Sequence, residues 1–460
     1  MNRRKFLKLS ALGGSSIAAA GCRPDPVEEL IPMLIPPYDY LPGESIHYAT
    51  TCRECPAACG LVVRTREGRA IKVEGNPHHP LNSGRTCLRG QATLQGLYNP
   101  SRATGPIQLV NGQSETLAWK KGKEVLAEQL KGLSTKPGKE VLYLGPHRTG
   151  TLPELIKKWL KGIGKSTYLE FDMLPVRSLL RANESCFDRP EIPHYHLEKA
   201  EVLLNFGADF MESWLNPVQL TRDYTRMHTL KNGHKGLFIQ VGSHLSMTGS
   251  NADQWVSCPP GTELLIALSL AHVLLKEMAP LSRLEKKQLT PFLAEYSPEQ
   301  TSDTTGISPQ DLKKLAQTFN QGGRSLALGG GNAGSHENAT NLQIAVNILN
   351  YIAGNINKTV VFGADYQFNG NSLSDIQSAI EKMQTGVIDI VIIENVNPAF
   401  ALPRPSGFTE ALKQVPWVVS FSIENDETAK LADIHLPTAH SLESWGDSRP
   451  RNGIFGLQQP

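Results

Sequence analysis

The sequence predicts an α/β fold: a small β-rich unit near the amino terminus, followed by doubly wound, Rossmann-like α/β units. Two observations carry this. From residue 141 onward, short apolar runs end in glycine and lead into helix-period patterns at residues 141–146, 202–209, 237–242 and 326–331, as strands and their turns do in doubly wound sheets. Ahead of them, residues 60–75 alternate apolar and polar side chains around Glu67-Gly68, the pattern of a β-hairpin. Any one glycine turn is weak evidence, because every α/β protein needs glycine at such turns. Their regular succession is what predicts the fold.

The chain has 460 residues, 40% hydrophobic and 20% charged, ordinary globular values with length for about three domains. Its 46 basic and 44 acidic residues leave a formal charge of +2, so no long-range field favours nucleic acid as a partner. Residues 1–22 run from a basic start (Arg3-Arg4-Lys5-Phe6-Leu7-Lys8) through a small-residue apolar stretch to Ala19-Ala20-Gly21-Cys22, the order of an export signal. The apolar stretch is well short of the ~20 residues that span a bilayer. The paired arginines resemble a twin-arginine signal, which exports proteins already folded, commonly with cofactor inserted. The ending resembles a lipoprotein cleavage box, with Ala19 where leucine is more usual, and implies a lipid anchor on Cys22. Residues 23–45, with Pro24, Pro26, Pro32, Pro36, Pro37 and Pro42, read as an extended spacer. The expectation is a periplasmic protein at the outer face of the cytoplasmic membrane.

Of seven cysteines, Cys52, Cys55, Cys59 and Cys87 form a Cys-x2-Cys-x3-Cys-x27-Cys pattern, while Cys186 and Cys258 stand alone. Three thiolates close together and one distant suit a cuboidal cluster, since iron–sulfur clusters take soft thiolate ligands and four complete a [4Fe-4S] unit. Structural zinc usually takes two Cys-x2-Cys knuckles, and the second is missing. Disulfides are a third reading, open to any exported chain.

The hairpin, Glu74-Gly75-Asn76-Pro77-x-His79-Pro80 and Cys87-x-Arg89-Gly90 together resemble the amino-terminal iron–sulfur domain of the molybdopterin oxidoreductases of dimethyl sulfoxide reductase type. The resemblance implies a [4Fe-4S] domain over 46–105, α/β molybdopterin-like domains over 106–330 and 331–460, and a bis-molybdopterin guanine dinucleotide. It places Arg89 between cluster and pterin, as an electron path; a surface arginine is the plainer reading. It continues through Ala252-Asp253-Gln254-Trp255, Asn347–Asn350, Glu394-Asn395-Val396-Asn397-Pro398 and Glu443-Ser444-Trp445-Gly446, and it sets Asp209, Glu263 and Asn397 at or near pterin contacts. Turn and cap chemistry would explain those three equally well.

Two departures bear on catalysis. Active members supply a Cys, selenocysteine, Ser or Asp ligand to molybdenum; the matching position falls near residues 172–174, where no cysteine stands and Asp172 is the candidate. The carboxy-terminal barrel that closes over the second pterin is absent from the pattern. Phe206–Phe210, Trp214-Leu215-Asn216-Pro217 and the ending from Trp445 look like the large iron–sulfur subunit of alternative complex III, whose molybdopterin-like domain lacks molybdenum. That likeness implies a membrane quinol-oxidising subunit, a ferredoxin-like iron–sulfur domain or subunit and cytochrome c subunits as partners. No residue is assigned to catalysis. The competing reading is a catalytic reductase of polysulfide, thiosulfate or tetrathionate; the plainest is an exported lipoprotein stapled by zinc. His194-Tyr195-His196 is expected to be an ordinary surface turn, Lys120–Lys123 the solvated face of an amphipathic helix, and Cys258 a packed thiol.

Overall fold

The computed structural model describes residues 43–460 apart from 111–112, 134–135, 173–175, 278–280, 322 and 369. The export signal, the Cys22 anchor and nearly all of the expected spacer lie outside the described residues.

Strands β1 (Ser45–Thr51), β2 (Gly60–Arg66) and β3 (Arg69–Gly75) form an antiparallel sheet in that order. β2 and β3 are the expected hairpin, with Glu67 and Gly68 at its tip at φ 52° and 72°, the pair of positive values that a two-residue turn requires to match strand twist. Leu61, Val63 and Val73 face a small core that also takes in Cys52 and Cys59. Helix α1 (Leu88–Leu97) then leads to β4 (Ile107–Val110), β5 (Gln113–Thr116), α2 (Trp119–Leu133), β6 (Glu140–Gly145), α3 (Leu152–Ile163), β7 (Ser166–Glu170), α4 (Arg177–Phe187) and β8 (Ile192–Tyr195). Next come β9 (Val202–Phe206), α5 (Pro217–His228), β10 (Leu237–Gly242), β11 (Gln254–Ser257), α6 (Glu263–Glu277), β12 (Ser325–Gly329), α7 (Ala339–Ile352) and β13 (Val360–Tyr366). The chain continues through α8 (Leu373–Gln384), β14 (Ile388–Glu394), β15 (Trp417–Phe421), β16 (Ile434–His435), β17 (Gly446–Arg451) and β18 (Ile454–Gln458).

Two sheets are doubly wound. A seven-stranded sheet has the order β5-β4-β16-β15-β14-β6-β7, and a four-stranded parallel sheet the order β11-β10-β9-β12. Their central strands read as unbroken apolar runs because both faces are covered. In the larger sheet Leu142, Leu144, Val391 and Ile393 enter one core while Val141, Tyr143, Ile390 and Ile392 enter the other. In the smaller, Leu204 and Ile239 pack on one face and Leu203 and Phe238 on the other. A third sheet, β18-β17-β13-β8, pairs antiparallel. Among the described residues every sheet is open.

The sheets do not follow the division at residue 330. β6 pairs with β14, and β8 with β13, while α6 and α7, on either side of that residue, share one core. Pairings this distant leave no local pattern, so the linear reading could not show the interleaving. His194-Tyr195-His196 is not a surface turn: His194 and Tyr195 end β8 and His196 follows it, with Tyr195 buried. α2 does turn Val125, Leu126 and Leu130 toward the core, and Cys258 is packed within one.

Candidate functional site

The first three cysteines lie in the loop between β1 and β2. The Cys52 N–H donates to the Cys59 carbonyl at 2.8 Å and the Ala58 N–H to the Cys55 carbonyl at 3.3 Å, folding the loop back on itself, with Ala58 at φ 44°. Cys87 caps the start of α1. Asn82, wholly buried, accepts from the Gly60 N–H at 3.0 Å and donates to the carbonyls of Gly60 and Arg85 at 2.8 and 2.7 Å, tying the fourth cysteine's loop to β2. Gly60 and Gly90 have no space to spare: a Cβ would lie 2.5 Å from the His79 ring and 2.4 Å from the Thr86 hydroxyl, respectively. A Cβ on Gly75 would likewise lie 2.3 Å from the Arg85 carbonyl oxygen, so Gly75 and Gly90 are packing requirements of the two motifs.

All four thiols are unpaired. Every one of the six pairs among them is close enough for one charge to raise the other's pKa. Burial pushes Cys52 up to about 12 and also raises Cys55 and Cys59. The Arg89 cation opposes this at Cys55 and Cys59. No three Cys, His or carboxylate side chains among the described residues close around a single ion. Four mutually close thiols that do not converge on one point suit a cubane, whose thiolates bind separate corners.

The cluster lobe opens on a cavity of about 940 Å³. Arg53, Cys55 and Arg89 line it from this lobe; His147, Arg148, Asp172, Glu394 and Asn397 line it from the segments that follow β6, β7 and β14, and Asp447 from β17. Ligands of doubly wound sheets bind at such carboxyl ends of strands. The ionisable groups there are tied to one another. Arg148 donates to Glu394 Oε1 at 2.7 Å, and the Tyr143 hydroxyl to Oε2 at 2.6 Å; burial and that carboxylate raise the Tyr143 pKa. His147 sets Nδ1 2.6 Å from Glu170 and Nε2 2.6 Å from the Gln367 carbonyl. Both partners are acceptors, so the imidazolium, with two N–H donors, satisfies them. Burial lowers the His147 pKa, but the Glu170 carboxylate outweighs it and the net shift is upward. Arg53 donates to Gln458 Oε1 at 2.6 Å and to the Asp447 carbonyl; burial and then Arg148 lower it to about 10.

Arg89 therefore lies at the boundary of cluster lobe and cavity. Asp172 lines the cavity and an adjoining recess with His147 and Arg177, near enough to Cys55 to raise its pKa. Asn397 lines the cavity too, its amide donating to Glu427 and accepting from Thr428. Asp209 and Glu263 belong to the other sheet, after β9 and at the start of α6, and do not line the cavity. The Asp209 carboxylate packs against Gly331, where burial raises its pKa, and Glu263 is buried. Sequence reasoning missed His147, Arg148 and Glu170. Their position directly after a buried strand's glycine, or at a strand's end, was the available signal.

Buried thiols beside a strand-end cavity define an iron–sulfur oxidoreductase with room for a second cofactor. Residues 47–99 match the molybdopterin oxidoreductase Fe4S4 domain and residues 102–455 match molybdopterin oxidoreductase; the chain belongs to the molybdopterin oxidoreductase family. It is 27% identical to the menaquinone reductase, molybdopterin-binding-like subunit, of Nitratidesulfovibrio vulgaris over 97% of this chain and 66% of that one. It is 23% identical to the arsenate respiratory reductase molybdopterin-containing subunit of a Shewanella strain over 100% of this chain and 64% of that one. Its fold matches acetylene hydratase from Pelobacter acetylenicus at a TM-score of 0.70 and 16% identity, covering 89% of this chain and 66% of that one. The chain spans just under two-thirds of these proteins' lengths.

The family's two domains carry a [4Fe-4S] cluster and a molybdopterin cofactor, and the residues here fit both. Cys52, Cys55, Cys59 and Cys87 would hold the cluster. The cavity would hold the pterin, where Arg148 Nε is buried without a partner and so offers a donor to a bound group.

Proposed function

We propose that this chain is the iron–sulfur, molybdopterin-fold subunit of a membrane-associated, quinol-oxidising electron-transfer complex of the alternative complex III type. In this reading the molybdenum chemistry of the cavity has been given up. The observation that carries it is the contrast between four clustered, unpaired thiols beside Arg89 and a cavity in which His147 pairs with Glu170 and Arg148 with Glu394. The name of the Nitratidesulfovibrio relative, a menaquinone reductase subunit, supports a quinone link. When bound, the cluster supplies one-electron transfer. The protein's part is to hold three thiolates in one loop and the fourth at the start of α1, to oppose their negative charge with the Arg89 guanidinium, and to shield the thiols by packing Leu61, Val63 and Val73 against them.

The same reading has the chain exported by the twin-arginine route and anchored through Cys22, with a quinol-oxidising membrane subunit, a ferredoxin-like iron–sulfur unit and cytochrome c as partners. Replacing Arg3-Arg4 by two lysines should leave the protein in the cytoplasm, as fractionation would reveal. A second reading, a molybdenum reductase of polysulfide, thiosulfate or tetrathionate, is favoured by one observation: Asp172, the candidate ligand that the resemblance suggests, lines the cavity. Both are tested on the complex purified anaerobically from membranes. Reduction of the cluster's spectrum by a menaquinol analogue, with no reoxidation by tetrathionate, polysulfide or thiosulfate, is the expected result. Turnover of one of those compounds with stoichiometric molybdenum would overturn it.

A further inference from the structure

We propose that Arg222 is the positioning residue for the fourth cluster ligand: from the neighbouring lobe it clamps the turn that leads to Cys87 and so keeps that corner of the cluster closed. The proposal rests on the reading of Cys52, Cys55, Cys59 and Cys87 as cluster ligands. Arg222 stands in α5, whose Leu220, Tyr224 and Met227 pack on the four-stranded sheet, and it is buried. Its Nη1 donates to the Ser83 hydroxyl at 2.9 Å and to the Leu81 carbonyl at 3.0 Å, and lies 3.3 Å from the Pro80 carbonyl. Its Nε donates to Asp223 Oδ1 at 3.1 Å. The guanidinium is thus held by its own helix on one side and faces the turn of the cluster lobe on the other.

That turn is closely folded. The N–H groups of Ser83, Gly84 and Arg85 donate to the carbonyls of His79, Asn76 and Asn82, each at 2.9 Å. Ser83 and Gly84 stand at φ 43° and 82°, and a serine in the left-handed region persists only where its surroundings hold it. Asn82 fastens the turn to β2, and Arg222 fastens it to α5. Cys87 follows two residues after Arg85, at the start of α1, so a shift of the turn is passed on to its sulfur. The other three cysteines share one loop with cross-loop hydrogen bonds of its own; the fourth depends on a separate segment. A charged donor makes the stronger kind of hydrogen bond, and the planar guanidinium fixes its direction. Arg222 acts through the turn and touches no reacting atom.

A cluster held firmly at three corners and loosely at the fourth loses the iron of the loose corner. Ferricyanide, a one-electron oxidant, takes one electron from the cluster; the bonds of that iron to Cys87 and to the cluster sulfides then break, and it leaves as ferrous ion. The [3Fe-4S] cluster left behind gives, when oxidised, an EPR signal that the oxidised [4Fe-4S] form lacks. The test follows the growth of this signal under ferricyanide in the full-length protein in its complex, comparing wild type with Arg222→Met, Arg222→Lys and Asp223→Asn. We expect Arg222→Met to form the three-iron cluster about tenfold faster than wild type, the low end of what groups outside the coordination shell contribute by orienting ligands. Arg222→Lys, which keeps the charge without the fork, should fall between the two. Asp223→Asn keeps the clamp and an oxygen for Nε, and should match wild type. Wild-type rates in Arg222→Met would overturn the proposal. So would equal acceleration in Asp223→Asn, the mark of a general loosening of α5. Should Arg222→Met fail to fold, the lysine variant and the double variant Arg222→Met with Asp223→Asn, which leaves neither charge alone, decide the same question; wild-type rates in both would overturn it. A wild-type chain with no cluster signal would sink the cluster reading and this proposal together, whereas a normal signal with no difference among the variants sinks only the latter.

Discussion

The cluster lobe and the cavity both bury ionisable groups, and they treat them in opposite ways. In the lobe, burial drives Cys52 up to about 12 and raises Cys55 and Cys59; the Glu54 backbone N–H opposes this at Cys52 and the Arg89 cation at Cys55 and Cys59. Thiolates there are costly until iron binds them. In the cavity, Glu394 has Arg148 and Tyr143, Glu170 has His147, and Asp447 accepts the N–H and hydroxyl of Thr151 at 3.0 and 2.7 Å. Those charges are met from within the protein. The first region is incomplete without its cofactor, while the second is largely self-sufficient, which is the physical ground for proposing a retained cluster beside a cavity without molybdenum chemistry.

The comparison breaks most visibly at Cys59. Cys59→Ala should abolish the cluster's iron and visible absorbance; retention of both would show that the buried thiols are not the ligands. Next in size is Glu394→Leu, which strands the Arg148 guanidinium in a mostly buried setting. Removing one partner of a buried pair costs about 3–5 kcal/mol. With Arg148 one-fifth exposed, the lower end of that range is expected in denaturant unfolding, with iron content unchanged. A loss of iron would mean that the two regions are not independent.

The smallest effect concerns His147. Its folded pKa is raised above the ordinary 6.5, so the stabilisation from its pairing with Glu170 is fully present below 6.5 and is lost as pH rises through the folded value. The unfolding midpoint of the wild type should therefore fall as pH climbs above 6.5. Glu170→Gln should flatten that dependence, and an unchanged slope would show that the imidazolium is not the folded form.

The two regions also differ in how legible they were. Cys52, Cys55, Cys59 and Cys87 could be read because three of them share one loop and the fourth follows a single hairpin. The strands that became β6, β9, β10 and β12 were legible for a related reason, since burial on both faces writes an unbroken apolar run. The cavity could not be read in the same way. Its wall is assembled from segments near residues 53, 147, 172, 394 and 447; those near 147, 172 and 394 meet because β6 lies between β14 and β7, and the other two come from different sheets. Asn397 lines the wall because its motif directly follows β14. Asp209 and Glu263 are on the sheet that does not face the cavity, a distinction that strand order makes and local sequence does not.

The most direct test of the account is the metal and acid-labile sulfide content of the anaerobically purified full-length protein in its native complex. The account predicts about four iron and four sulfide for this chain's site, over and above any cluster on its partners, without molybdenum. Stoichiometric molybdenum would contradict the claim that the cavity has left molybdenum chemistry, and zinc without iron would contradict the cluster itself.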